Sequence, residues 1–155
     1  MSDKENNPEW DDNTKHFLKE WFSGLMASIE TLDEEIRPKV LEMTGRACAR
    51  AHVVDLFKKT WEEVKNIDDF IPAINKAMGI EIYEKIDDKT ISASYSKCYC
   101  PLVNIGLVNS PILCNCSPNW LLENFEAILD KRVTVTTKNT VLRGADSCNF
   151  IISIE

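Results

Sequence analysis

Two pairs of closely spaced cysteines are the residues of this chain with the clearest capacity for chemistry. Cys98 and Cys100 form one C-x-C pair, Cys114 and Cys116 form another, and thirteen residues separate the two pairs. If both pairs lie in neighbouring extended segments, alternate side chains share a face and four sulfurs meet on one surface. Zinc takes four thiolates in a tetrahedron, so this pattern predicts a zinc or small-molecule ligand site.

Other readings of the cysteines stay open. Reduced cysteines often fill a core as small hydrophobic side chains, and one thiol from each pair could form a redox disulfide. Cys48 and Cys148 can join the cluster as outer ligands or as core residues. A nucleophilic thiolate needs a base, and His16 and His52 are the only histidines, so no catalytic residue is assigned.

Four further residues are candidates for binding a small molecule. Arg46 and Arg50 lie one helical turn apart around Cys48, where they can hold a carboxylate, lower the pKa of the thiol or simply flank the helix. His52 follows on a possible inner face. Trp120 belongs to an aromatic set that packs a core or lines a ligand cavity.

Composition narrows the class of protein. The net charge of −7 and the scattered basic residues argue against nucleic acid as a partner. No apolar run approaches the ~20 residues of a membrane span, and the first residues lack the apolar region of a secretory signal. We therefore expect a cytoplasmic protein with no membrane contact and with reduced thiols. The sequence leaves a homodimer open.

The first half of the chain reads as helical over residues 9–79. From Phe17 onward apolar residues recur at spacings of three and four, which indicates an amphipathic helix. The run Thr31-Leu-Asp-Glu34 matches a capping box and predicts the start of a second helix. A further helix is predicted from His52 to Val64, and a last one ends at Gly79.

The second half, residues 80–155, reads as a sheet plus one helix. Asp87-Asp88 predicts a hairpin turn, and the cysteine-rich segment 97–119 follows it. Ser117-Pro118 predicts a helix start with Ser as N-cap, and that helix should end near Asp130. Strands are then expected over residues 132–137 and 148–154, and residues 140–143 are expected to belong to a strand or to its approach. The prediction is one α+β domain over 1–155, with N-terminal helices packed on an antiparallel sheet and a flexible stretch at 1–8.

Several motifs of the second half occur in a recognisable order. They are Cys98–Cys100-Pro101, Cys114-Asn-Cys116-Ser-Pro-Asn-Trp120, Phe125-Glu126, Val133-Thr-Val135 and Gly144-Ala-Asp146-Ser-Cys148-Asn-Phe150. This order resembles the 4-vinyl reductase (sensor) domain and the L-2-amino-thiazoline-4-carboxylic acid hydrolase-like group, above all its uncharacterised cysteine-rich bacterial members. Gly45-Arg-Ala-Cys48-Ala also resembles the cysteine-bearing helix of those members. The resemblance covers about half of the chain.

The resemblance implies helices on an antiparallel sheet that enclose a small-molecule pocket, with zinc held by cysteines in some members. Carried over, the candidate ligands are Cys98, Cys100, Cys114, Cys116 and Cys148. The doubled C-x-C pairs are denser than the usual single cysteines of the group.

These observations favour a small-molecule- or metal-binding domain with a cysteine cluster as its site. The alternative is a hydrolase of a small cyclic amide or thiazoline that uses a metal-bound water or a thiolate. A second alternative is a thiol redox protein, or a domain whose cysteines are only structural.

Overall fold

The computed structural model describes residues 10–155, so the predicted flexibility of residues 1–8 lies outside the described residues. The first half is helical, as the apolar spacing predicts. Its helices are α1 (Asp12–Glu30), α2 (Arg37–Val40), α3 (Glu42–His52), α4 (Val54–Val64) and α5 (Ile67–Met78). Gly79 ends α5 in a left-handed conformation (φ 71°), which favours glycine because it has no Cβ.

The capping-box prediction at Thr31 is wrong. Thr31 follows the last residue of α1, and its hydroxyl donates a hydrogen bond of 2.7 Å to the carbonyl of Ser28. The same side chain that could open a helix therefore closes one here. The next helix begins only at Arg37, with Pro38 in its first turn, where a missing N–H costs nothing. The predicted helix from His52 instead begins at Val54.

Four antiparallel strands form one sheet in the order β1-β2-β4-β3. The strands are β1 (Tyr83–Asp87), β2 (Thr90–Tyr95), β3 (Val133–Asn139) and β4 (Cys148–Ile154). The predicted hairpin at Asp87-Asp88 is confirmed, and the Asp87 carboxylate accepts a hydrogen bond from the backbone N–H of Lys89. The chain is thus the predicted α+β fold, with N-terminal helices and a sheet from the second half.

The connection between β2 and β3 holds the short helix α6 (Pro101–Asn104), a 3-10 helix (Pro111–Asn115) and α7 (Ser117–Glu126). Cys116, rather than Ser117, is the N-cap residue of α7. The helix ends at Glu126, earlier than the Asp130 that its apolar spacing predicted. Of the two alternatives for residues 140–143, the strand is wrong, because Val141–Arg143 is a 3-10 turn on the approach to β4 that Gly144 closes (φ 92°).

The main core lies between the sheet and helices α4, α5 and α7. Four phenylalanines are its largest buried side chains, namely Phe57, Phe70, Phe125 and Phe150. Phe57 packs edge-on against Phe70 and Phe125, with ring centroids 5.5 Å apart in both pairs. A second, smaller core under α1 joins Met26 and Ile29 to the 3-10 helix before α7.

The buried amide of Asn75 fixes α5 to the start of β1. It donates to the carbonyl of Tyr83 at 2.8 Å and accepts from the backbone N–H groups of Ile82 and Tyr83. One side chain thus satisfies three backbone groups that burial would otherwise leave unpaired. This contact sets the position at which β1 enters the sheet.

Helix α3 crosses the start of α7 at Gly45. A Cβ placed on Gly45 would overlap the carbonyl oxygen of Cys116 and would lie 2.9 Å from the Cβ of Asn119. The two backbones can approach this closely only because Gly45 has no side chain.

We expect Gly45→Ala to lower the free energy of unfolding by about 1–3 kcal/mol, because the added methyl forces α3 away from α7. Gly24→Ala is the matched control, since its Cβ meets nothing within 4 Å. A helical Ala in place of Gly should leave stability unchanged or raise it by up to about 1 kcal/mol. Urea denaturation measures both. Equal stability of Gly45→Ala and the wild type would contradict the close approach.

Candidate functional site

The cysteines lie in one irregular segment and on four elements. Cys98 and Cys100 occupy the irregular segment between β2 and α6, so the condition that both C-x-C pairs lie in neighbouring extended segments is not met. Cys114 is buried in the 3-10 helix and Cys116 caps α7. The outer members are Cys48, which is exposed on α3, and Cys148, which begins β4. All six thiols are free.

Each of the six thiols lies close enough to at least one other to act on its pKa, and we call this linked set the cysteine neighbourhood. Burial is the main cause that raises the pKa of the Cys100 thiol, and Cys98 and Cys114 raise it further. Burial likewise raises the pKa of Cys116, with added contributions from Cys100, Cys48 and Cys114. The raised pKa keeps the thiols of Cys100 and Cys116 protonated at neutral pH.

Cys148 and Cys48 belong to the same neighbourhood. The pKa of Cys148 is raised by burial first and also by Cys98 and Cys114, although the backbone N–H of Val141 donates to its Sγ at 3.3 Å. The pKa of Cys48 is raised by burial and by Cys100. Both outer cysteines therefore join the cluster, one from the sheet and one from α3.

The cluster is not arranged as a metal site. Within residues 10–155, no three or more His, Cys, Asp or Glu side chains are placed so that they could hold a metal ion. Thr44 instead contacts the Sγ of Cys116 at 3.4 Å. Zinc binding at these cysteines stays a prediction of the sequence.

The two candidate arginines bind carboxylates of the protein itself. Arg46 donates to Glu123 at 2.9 Å and to Glu126 at 2.8 Å, and Arg50 donates to Glu123 at 2.7 Å. Burial alone would raise the pKa of Glu123, but hydrogen bonds from the two arginines outweigh it and lower that pKa. The hydrogen bonds raise the pKa of Arg46. These ion pairs fasten α3 to α7.

The other two ligand candidates differ in burial. His52 is exposed at the end of α3, so its predicted inner position is wrong. Trp120 is half-buried and packs against the main core. The backbone N–H of Trp120 donates to the carbonyl of Cys116 at 3.0 Å, one turn earlier in α7.

Sequence reasoning missed a set of buried polar atoms with no hydrogen-bond partner in the described residues. These are the hydroxyls of Tyr83, Tyr95 and Thr140 and both polar atoms of the Asn124 amide. The sequence could have indicated that Asn124 is buried, because this polar residue lies between Leu121 and Phe125 on the apolar face of a predicted helix. Nothing in the sequence marked the two tyrosine hydroxyls as unpaired.

Tyr83 and Tyr95 point into the domain from the same face of the sheet. Tyr83 pairs with Ala93, and Tyr95 lies two residues further along β2, so the pleat places all three on one face. The two tyrosine hydroxyls are close enough for each to act on the other's pKa as a hydrogen-bonding group, but neither has a partner at the distance and angles of a hydrogen bond in the described residues. Burial is the first cause that raises the pKa of both hydroxyls, so both keep their protons at neutral pH.

Solved structures show the same fold with different ligands. One is the trafficking protein particle complex subunit 3 from Naegleria fowleri covalently bound to palmitic acid (TM-score 0.52, 15% identity, 94% of this chain and 97% of that chain). Another is the phenol-responsive sensory domain of the transcription activator PoxR with phenol (TM-score 0.51, 14% identity, 92% and 73%). At these identities the similarity shows the fold alone.

Other comparisons add no family. No protein-family model matches the sequence, and no curated protein matches it either. The structures support the expectation of an α+β fold, whereas the resemblance to the 4-vinyl reductase group stays a prediction. Among the helices of residues 10–155, none combines the length and apolar character needed to cross a bilayer.

The Glu123 pairs predict a pH dependence. The pKa of Glu123 is lower in the folded protein than the ordinary Glu value of 4.5. The stabilisation from its ion pairs with Arg46 and Arg50 is therefore present above pH 4.5 and is lost as the pH falls through the folded-state pKa. We expect Glu123→Gln to destabilise the protein by about 1–3 kcal/mol at pH 7, and by progressively less as the pH falls below 4.5. Urea denaturation over this pH range measures the difference.

Glu62→Gln is the control, because Glu62 pairs only with Lys65 on an exposed helix face among the described ion pairs. Its effect should stay within about 0.5 kcal/mol at every pH. A Glu123→Gln difference that does not shrink in acid would contradict the assignment.

Proposed function

We propose that this domain binds a small molecule with an apolar body and one oxygen-bearing polar group, at the hydroxyls of Tyr83 and Tyr95. The observation that carries the proposal is the pair of buried tyrosine hydroxyls on the inner face of the sheet, neither of which has a well-formed hydrogen bond within residues 10–155. A buried polar group without a partner costs about 1–3 kcal/mol. Two such groups side by side offer a ligand hydrogen bonds that the protein does not otherwise form.

The surroundings of the two hydroxyls suit an apolar ligand. The Phe125 ring lies edge-on to Tyr83 at 5.5 Å, and the Phe150 ring lies edge-on to Tyr95 at 6.0 Å. Because both phenols are protonated at neutral pH, each can donate to a ligand oxygen or accept from a ligand hydroxyl. A ligand with a further polar or charged group would have to bury that group away from water and without a partner, which costs free energy. We therefore expect a ligand with a single polar group.

The ligands named for the two similar structures fit this description. Palmitic acid and phenol each combine an apolar body with one oxygen-bearing group. The fold alone would not license the transfer, because one fold hosts many functions. The unpartnered hydroxyls are the feature of this chain that supports it.

Binding should be measured by calorimetry with phenol and with a series of fatty acids, on the wild type, Tyr83→Phe and Tyr95→Phe. We expect one ligand class to bind, and each variant to weaken that binding by roughly 5- to 30-fold, as for loss of one buried hydrogen bond. The unliganded variants should be as stable as the wild type or more so, because each substitution removes an unpaired buried hydroxyl.

Tyr99→Phe is the matched control, since Tyr99 is 40% exposed and its ring packs near Tyr95. It should bind like the wild type. The proposal fails if neither ligand class binds, or if the buried and exposed tyrosine variants lose affinity equally.

Zinc at the cysteines is a second proposal, supported by the common neighbourhood of the six thiols. As placed, the cysteines do not fit a preformed tetrahedron, so zinc would have to draw Cys98, Cys100, Cys114 and Cys116 together. No observation favours the hydrolase alternative.

Alkylation followed by mass spectrometry tests the thiols directly. In metal-free protein we expect Cys48 to react first because it is exposed, and Cys114 last because it is only 7% exposed. If zinc binds, metal analysis gives one equivalent, and the four thiols of the C-x-C pairs become protected until a chelator is added. An order of alkylation that zinc leaves unchanged would rule out the zinc proposal.

A further inference from the structure

Helix α1 carries an apolar stripe that faces solvent. Phe17, Trp21 and Leu25 follow one another at every fourth position and are 63%, 53% and 37% exposed. Residues four apart lie on one helix face, and we call these three side chains the α1 stripe. Of the ten large hydrophobic side chains exposed in residues 10–155, seven lie between residues 10 and 43. The exposure is therefore concentrated in one part of the fold.

Within residues 10–155, the α1 stripe is not part of either apolar core. Met26 and Ile29 are the buried residues of α1, and Leu18 and Phe22 pack half-buried against the same small core. Through that face α1 contacts α2 and the 3-10 helix Pro111–Asn115. A surface helix of a monomer needs only one apolar face, whereas α1 has two.

The side chains along the exposed face are symmetric about Trp21. Going outward from Trp21, the positions four residues away are the large apolar Phe17 and Leu25. The positions seven residues away are the small hydroxyl residues Thr14 and Ser28. Trp21 is also the middle residue of Asp12–Glu30, so the pattern is centred on the helix itself.

We propose that the α1 stripe pairs with the same stripe of a second copy of this chain, antiparallel about a two-fold axis at Trp21. A two-fold contact uses the same patch on both copies, and the symmetric pattern supplies it. Phe17 then faces Leu25 of the second copy, Thr14 faces Ser28, and the two Trp21 rings meet at the axis. The helices overlap along their full length of roughly 28 Å.

The stripe alone is smaller than a standard interface, so the dimer we propose is weak and reversible. A large aromatic side chain buries 150–250 Å² in all, so half-exposed members of the stripe still offer on the order of 100 Å² each. The stripe therefore gives each copy on the order of 300 Å² of apolar contact, less than half of the ~800 Å² that each partner contributes to a standard interface. Exposed polar residues beside the stripe would supply the rim of that interface.

Analytical ultracentrifugation of the full chain over a concentration series tests the dimer. We expect a monomer–dimer equilibrium in the wild type, and a dissociation constant raised at least about 30-fold in Trp21→Glu, as for loss of a central aromatic anchor. Phe17→Glu should act in the same direction. Ser23→Glu is the matched control, because it adds the same charge to an exposed position of α1 outside the stripe.

Circular dichroism should show that the variants fold, since the substituted side chains are exposed. A wild type that stays monomeric at every concentration overturns the proposal. So does a dimer that Trp21→Glu and Phe17→Glu leave intact, because another surface would then hold it. A monomer that binds phosphatidylcholine vesicles through the stripe overturns it in favour of lipid. None of these results depends on ligand binding at Tyr83 and Tyr95.

Discussion

The close approach of α3 to α7 at Gly45 positions the residues around the cysteine cluster. Because no Cβ separates Gly45 from the Cys116 carbonyl, the neighbouring turns of α3 come within reach of α7. Arg46 and Arg50 can then bind Glu123, and Cys48 joins the neighbourhood of Cys116. The same placement lays the other side of α7 on the sheet, where its apolar residues cover the inward-facing tyrosines. The absence of a side chain at Gly45 therefore lets the helical half pack close to both the cysteine cluster and the tyrosines.

The parts of the fold that local chemistry controls were predictable from the sequence. Alternation predicted β4, in which Phe150, Ile152 and Ile154 are buried, and a glycine predicted the end of α5. Local patterns failed where two structures satisfy the same residue. Thr31 can cap either end of a helix, and the position of α1 decides which. The stretch before Gly144 has the composition of a strand, but a 3-10 turn lets the Val141 N–H reach Cys148.

The candidate site was predictable only in part. Cysteine spacing marked the thiols of one segment, but the extended arrangement that would bring four sulfurs onto one surface does not form, because Pro101 and Pro111 begin helical turns between the pairs. The arginines around Cys48 were recognised, but their partners are 73 to 80 residues away in sequence and depend on the α3–α7 contact. Whether a buried tyrosine has a hydrogen-bond partner is a property of the assembled core. Tyr83 and Tyr95 therefore emerged only from the structure.

The most direct test of the account uses the three tyrosines of the chain as reporters. With ring-labelled tyrosine, the NMR spectrum contains signals from Tyr83, Tyr95 and Tyr99, which single Tyr→Phe substitutions assign. Titration with phenol or a fatty acid should shift the signals of the two buried tyrosines together, with one shared affinity, and leave that of the exposed Tyr99 in place. Unchanged signals from Tyr83 and Tyr95 at saturating ligand, or a response confined to Tyr99, would contradict the proposed binding site.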